Sequence, residues 1–186
     1  KSQLYFTAFI LLLAACTDVN REAHLKELTA LKKRLNQTTT QATSADLDSL
    51  GAMRLEVTQT QLRIKNYMHQ DTISLQLAQQ LDSFKRLSRT FNPLFKQYSQ
   101  LVRGIKEEER ALKNLQKDIE NGQGERDQYA AYIRFESAKV AQLEALQREF
   151  ERARKQLNAE FERLHTPIES WAQQLLEKAQ IGRAHV

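Results

Sequence analysis

The chain has few of the residues that make turns and cross-links. Its 186 residues include one cysteine, two prolines and five glycines. One cysteine excludes an intramolecular disulfide framework and any zinc site built from several cysteines. So few glycines and prolines leave too few turns for a sandwich or barrel of many short strands. An excess of one charge is also lacking, with 28 Lys and Arg against 23 Asp and Glu. The two signs alternate along the sequence, so no basic stripe tracks a phosphate backbone and nucleic acid is not an expected partner.

Catalytic signatures are missing too. Gly122-Gln123-Gly124 is a lone GxG behind a helical stretch, which suits a turn better than a phosphate loop. There is no nucleophile elbow, no pair of zinc-binding histidines on a helix and no calcium loop. His24, His69 and His165 stand isolated in sequence. The runs Glu107-Glu108-Glu109 and Lys32-Lys33-Arg34 read as solvated helix faces. The expectation is a protein that is not an enzyme, with no metal and no cofactor beyond a covalent lipid.

That lipid is suggested by the start of the chain. Leu4 to Ala15 read LYFTAFILLLAA, an apolar run behind Lys1. It has the length of a signal-peptide core and falls short of the roughly 20 residues that span a bilayer. The run ends in Leu13-Ala14-Ala15-Cys16, which resembles the lipobox of bacterial lipoproteins. The resemblance implies that signal peptidase II recognises Leu13, Ala14 and Ala15 and cleaves before Cys16. It also implies a diacylglycerol on the Cys16 thiol and acylation of the new amino terminus. At about 0.8 kcal/mol per buried CH₂, two or three acyl chains make a durable anchor. Thr17 stands where some bacteria use Asp to retain lipoproteins in the inner membrane. The implied location is the cell envelope, at the outer membrane facing the periplasm or the surface.

Residues 1–15 are thus read as a removed signal peptide, incomplete at its amino end because no Met precedes it. At the other end, Ile181-Gly182-Arg183-Ala184-His185-Val186 back-translates into a common sequencing adapter, so residues 181–186 are set aside as an artefact. Without Lys1 and Arg183, 26 basic residues face 23 acidic ones and the formal charge falls from +5 to +3.

The rest is rich in Leu, Gln, Glu, Lys, Arg and Ala, which favour helix. Amphipathic stretches are predicted over 19–37, with Leu25, Leu28, Leu31 and Leu35 in step, and over 45–68. The polar, β-branched run from Thr38 to Ser44 suits a loop between them, with Thr43 and Asp46 forming a capping box. A third stretch, capped by Asp71 or Thr72, is expected to run through Phe91. Asn92-Pro93 reads as a helix restart or a kink, with Asn as N-cap and proline at the first position, and Thr166-Pro167-Ile168-Glu169 repeats that punctuation as a capping box.

Between the two prolines the pattern sharpens. Phe91, Phe95, Tyr98, Val102, Ile105, Glu109, Leu112, Gln116 and Ile119 alternate steps of four and three. After Asn121-Gly122-Gln123-Gly124 the same steps resume from Tyr129 through Ile133, Glu136, Val140 and Leu143 to Leu164. A 3.5-residue period of this length predicts a coiled-coil seam, and the glycine turn makes its arms antiparallel. Folding about Gly122 and Gln123 pairs Leu112 with Ile133, Ile105 with Val140, Val102 with Leu143, Tyr98 with Gln147 and Phe95 with Phe150. It also sets Glu109 opposite Glu136, a polar layer that could hold a cation or receive a partner's arginine. The plainer expectation is that both carboxylates reach out of the seam or pair with Arg110 and Arg134.

The fold class is therefore all-α, an elongated helical bundle base with a projecting antiparallel coiled-coil hairpin whose arms join at Asn121–Gly124. Residues 16–92 are assigned to the anchor and base, 93–152 to the hairpin, and 153–180 to a returning helix and C-terminal helix packed on the base. Ile168, Trp171, Leu175 and Leu176 are expected to supply apolar surface there. The segment GIKEEERALKNLQKDIENGQGERDQYAAYIRFESAKV, Gly104 to Val140, resembles the hairpin of an uncharacterised group of bacterial envelope lipoproteins. The likeness runs from about Asp71 to Lys178 and brings no activity with it. Expected partners are the membrane, through the lipid, and an envelope protein, with homo-oligomers left open. A periplasmic holdase chaperone or a ligand-binding helical module is the alternative, although such holdases trimerise through a β-structured body and no strands are predicted here.

Overall fold

The computed structural model describes residues 20–69 and 72–184, with side chains as far as Ile181. Cys16 and its recognition residues Leu13, Ala14 and Ala15 lie outside the described residues, as does Asp71. Among the described residues four helices make the fold: α1 Arg21–Thr43, α2 Leu47–Tyr67, α3 Leu75–Asn121 and α4 Tyr129–Ala184, the last preceded by a 3₁₀ turn at Arg126–Gln128. No strand occurs among the described residues, so the chain is all-α.

Helix ends depart from expectation where local polarity had suggested breaks. α1 continues through the threonine run to Thr43. Thr38 and Thr39 donate their hydroxyls to the Arg34 and Leu35 carbonyls one turn back, so the side chains reinforce the helix they were expected to end. Thr38 and Ala42 are buried and extend the stripe of Leu28, Leu31 and Leu35 at the same alternating spacing. Asp46 alone caps α2, accepting from the Ser49 amide at 2.9 Å. α3 is capped by Ser74, which accepts from the Leu77 amide at 3.2 Å, and not by Thr72. Pro93 and Pro167 sit inside α3 and α4 instead of starting new helices. Both are exposed, and buried residues of the apolar stripe flank each: Phe91 and Leu94, then Leu164 and Ile168. Packing of that stripe offsets an intrinsic cost of about 3 kcal/mol for proline inside a helix.

The connection from α3 to α4 folds as its glycines dictate. Gly122 has φ 62° and Gly124 φ 83°. The Gly122 amide donates to the Ile119 carbonyl at 3.3 Å and the Gln123 amide to Asp118 at 2.8 Å, a Schellman end. Tyr129, fully buried, donates its hydroxyl to the Gln123 carbonyl at 2.6 Å and lies 3.0 Å from that of Asp118. The turn is thereby fastened to the first residue of the returning helix.

The chain forms two compact units, one from residues 20–39 and Arg103–Glu144, the other from Thr40–Val102 and residues 145–184. In the first, α1 runs antiparallel to α3: Arg21 donates to the Glu120 carbonyl, Lys32 to Gln116, and Thr39 to Glu109 at 3.4 Å. Arg34 grips Glu144 of α4 with two hydrogen bonds of 2.8 Å. The first helix thus lies along the hairpin arms, where its leucines complete a three-helix core, and not in the base to which it had been assigned. In the second unit Phe84, Phe91 and Phe150 pack with Leu50, Val57, Leu157 and Ile168. Each buried aromatic or aliphatic side chain there is worth about 1.5–3 kcal/mol. Ile168 and Leu175 are buried, while Trp171 and Leu176 are only half-buried. α2 lies parallel to α4: Glu56 stands 3.7 Å from His165, and further along Thr60 and Arg63 both donate to Glu169.

Candidate functional site

The hairpin seam keeps its period but changes one of its columns. The buried residues of α3 include Leu94, Leu101, Ile105, Glu108, Leu112, Leu115 and Ile119. Phe91, Ile105, Leu112 and Ile119 stand where expected, but Phe95, Val102 and Gln116 are half-buried and Glu109 is exposed. The second column lies one residue earlier because a third helix covers the arms from one side and rotates the buried face towards it. Pairing between the arms shifts as well. Phe150 meets Tyr98, with ring centroids 5.4 Å apart, and Leu143 lies against Gly104, where an added Cβ would come within 2.7 Å of Leu143 Cδ2.

The expected Glu109–Glu136 layer is therefore corrected to Glu108 and Glu136. Glu109 instead accepts from Thr39 at the surface. Glu108 is only 3% exposed, and its Oε1 has no hydrogen-bond partner among the described residues. Its other oxygen lies 3.6 Å from Lys139 Nζ, which also stands 2.9 Å from Glu136. Two carboxylates thus share one ammonium in a largely apolar layer. Neither Arg110 nor Arg134 takes part. Burial, followed by the neighbouring Glu136 charge, pushes the Glu108 carboxyl up to about 7, with Lys139 acting against the shift. Lys139 is raised in turn, first by its hydrogen bond to Glu136. The layer can take up a proton near neutral pH.

Three further features belong to the same inventory. Phe135 is 61% exposed and Tyr132 43% exposed, one turn apart on the first stretch of α4. Lys139 Nζ lies 4.7 Å from the Phe135 ring centre. In the second unit, α3 and α4 leave between them an open groove of about 890 Å³ floored by Leu87, Leu94 and Leu157. His165 stacks on Phe161 at 4.6 Å with its Nε2 3.7 Å from Glu56, a packing role within that unit's core. Among the described residues no group of three or more His, Cys, Asp or Glu could hold a metal ion.

No known protein family, curated protein or solved structure matches the chain. Sequence reasoning missed Glu108 because the column beside Ile105 and Leu112 turns inward one residue earlier than the spacing suggested. It missed the groove because a groove is set by which faces of α3 and α4 stay uncovered in the second unit. A signal for the column was present: Leu94, Leu101 and Leu115 are more uniformly apolar than Phe95, Val102 and Gln116.

Proposed function

We propose that the chain is a lipid-anchored lipoprotein of the bacterial envelope with a structural or protein-interaction role, held by acyl chains on Cys16 and engaging a protein partner through its helical hairpin. It is read as non-enzymatic. The observation that carries the interaction reading is the exposed pair Tyr132 and Phe135 on a hairpin whose other large apolar residues are mostly covered. Aromatic side chains dominate interface energetics because they bury much area at small entropic cost.

The test is photo-crosslinking and co-purification from envelope fractions with the wild type and a Tyr132→Ala/Phe135→Ala variant. The variant is expected to lose the partner that the wild type retains, at unchanged helicity. An identical partner set in both would remove the hairpin face from the reading. A second reading, a ligand- or client-binding helical module, draws on the open apolar groove of the second unit.

A further inference from the structure

We propose that the groove between α3 and α4 receives an amphipathic α-helix of a partner protein, with acidic residues flanking its apolar stripe, as a fourth helix of the second unit. This goes beyond the hairpin reading and rests on a different unit. The groove walls run from Ser83 to Gln97 on α3, a length of about 21 Å at 1.5 Å per residue, which matches about four turns of a docked helix. Leucines form the floor, and Thr90, Ala153 and Ala159 beside them are small enough to let a helix backbone approach to about 8–10 Å.

Charge selects among occupants. Arg86, Arg89 and Arg163 stand on the lining against the single acid Glu160. Arg86 is engaged by Asp82, and Arg163 by Glu160 at 2.6 Å, but all four side chains are more than half exposed. Such surface pairs are worth little and yield readily to a partner's carboxylates. Arg89 has no ion pair among the described residues. A second copy of the chain fits less well. Its exposed ridge, Leu55 and Leu62 on α2, is flanked by Arg54 and Lys65 as well as by Asp48 and Glu56.

The experiment uses the full chain and two fluorescein-labelled synthetic helices of about four turns. Both carry leucines at heptad spacing, one flanked by glutamates and the other by lysines. Anisotropy titrations at low salt are expected to show the acidic helix binding at least about tenfold tighter. The preference should reverse in an Arg86→Glu/Arg89→Glu variant. Both helices should be lost on Ala159→Phe, which puts a ring into the groove beside its leucines, with Thr90→Phe as a second filling variant if the first disturbs helicity. Binding should persist in Tyr132→Ala/Phe135→Ala, which separates this site from the hairpin. Equal affinity for the two helices, or affinity untouched by both filling variants, would overturn the proposal. So would phosphatidylglycerol vesicle binding, or concentration-dependent self-association, that Ala159→Phe abolishes, because either assigns the groove to another occupant.

Discussion

Glu108 concentrates the energetic cost of the hairpin in one side chain. A carboxylate so deeply covered loses its hydration, and a single ammonium shared with Glu136 compensates only part of that loss. On its own helix the adjoining seam residues, Ile105 and Leu112, are apolar. On α1 the buried stripe carries Leu35 and Thr38, and the Arg34 charge is committed to Glu144. The ionisable groups that act on Glu108 are therefore Glu136 and Lys139, both from α4. Its proton is held up to about pH 7 in the folded chain, against an ordinary value of 4.5. Between those values the folded state binds a proton that the unfolded state has released, so stability falls as pH rises through the window. Glu108→Gln removes the charge and keeps the shape. Urea titrations at pH 8 should find the variant more stable than wild type by about 1–3 kcal/mol, with the two converging only below about pH 4.5, where the unfolded chain also keeps the proton. Parallel stabilities across that range would assign the cost to another group.

At the scale of elements, two glycines make opposite predictions. Gly51 lies inside α2, exposed, with nothing within 4 Å of an added Cβ, so it only loosens the helix. Gly51→Ala should raise the thermal midpoint, through a gain of about 0.5–1 kcal/mol. Gly122 has φ 62°, and an added Cβ would meet the Arg126 guanidinium at 2.7 Å. Gly122→Ala should cost about 1–2 kcal/mol in the same melt. A midpoint unchanged or raised by Gly122→Ala would show that the turn does not need its left-handed residue. The turn was legible in the sequence because its requirement is local: only glycine takes that φ cheaply. A helix end as early as Thr38 and new helix starts at Pro93 and Pro167 do not occur, for the converse reason. The local preference of these residues against helix is outweighed by a buried stripe that continues on both sides of them, and that packing is not local. The seam's period was legible, but its inward column was not, because the third helix that turns Glu108 inward comes from residues 20–39, far away in sequence.

At the scale of the whole molecule, the proposed anchor and the charge make separable claims on a membrane. No described helix is long and apolar enough to cross one. A formal charge of +5, or +3 without Lys1 and Arg183, is spread among 23 acidic residues. Basic residues contribute about 1 kcal/mol each at an anionic surface only when they cluster within a Debye length of it. Here Arg34, Arg63, Lys139 and Arg154 are each held by a carboxylate of their own unit. Charge alone should therefore give weak, salt-sensitive adsorption, and durable attachment should depend on acyl chains at Cys16. Two exported forms separate these contributions. The chain with a Met and a basic n-region restored ahead of its own apolar run should incorporate labelled palmitate and stay in the membrane fraction through high salt and carbonate. The chain starting at Thr17 behind an ordinary secretory signal should leave the membrane at physiological salt and take up no label. Equal retention of both forms after the high-salt wash would place the attachment in the helical body and remove Cys16 from the argument.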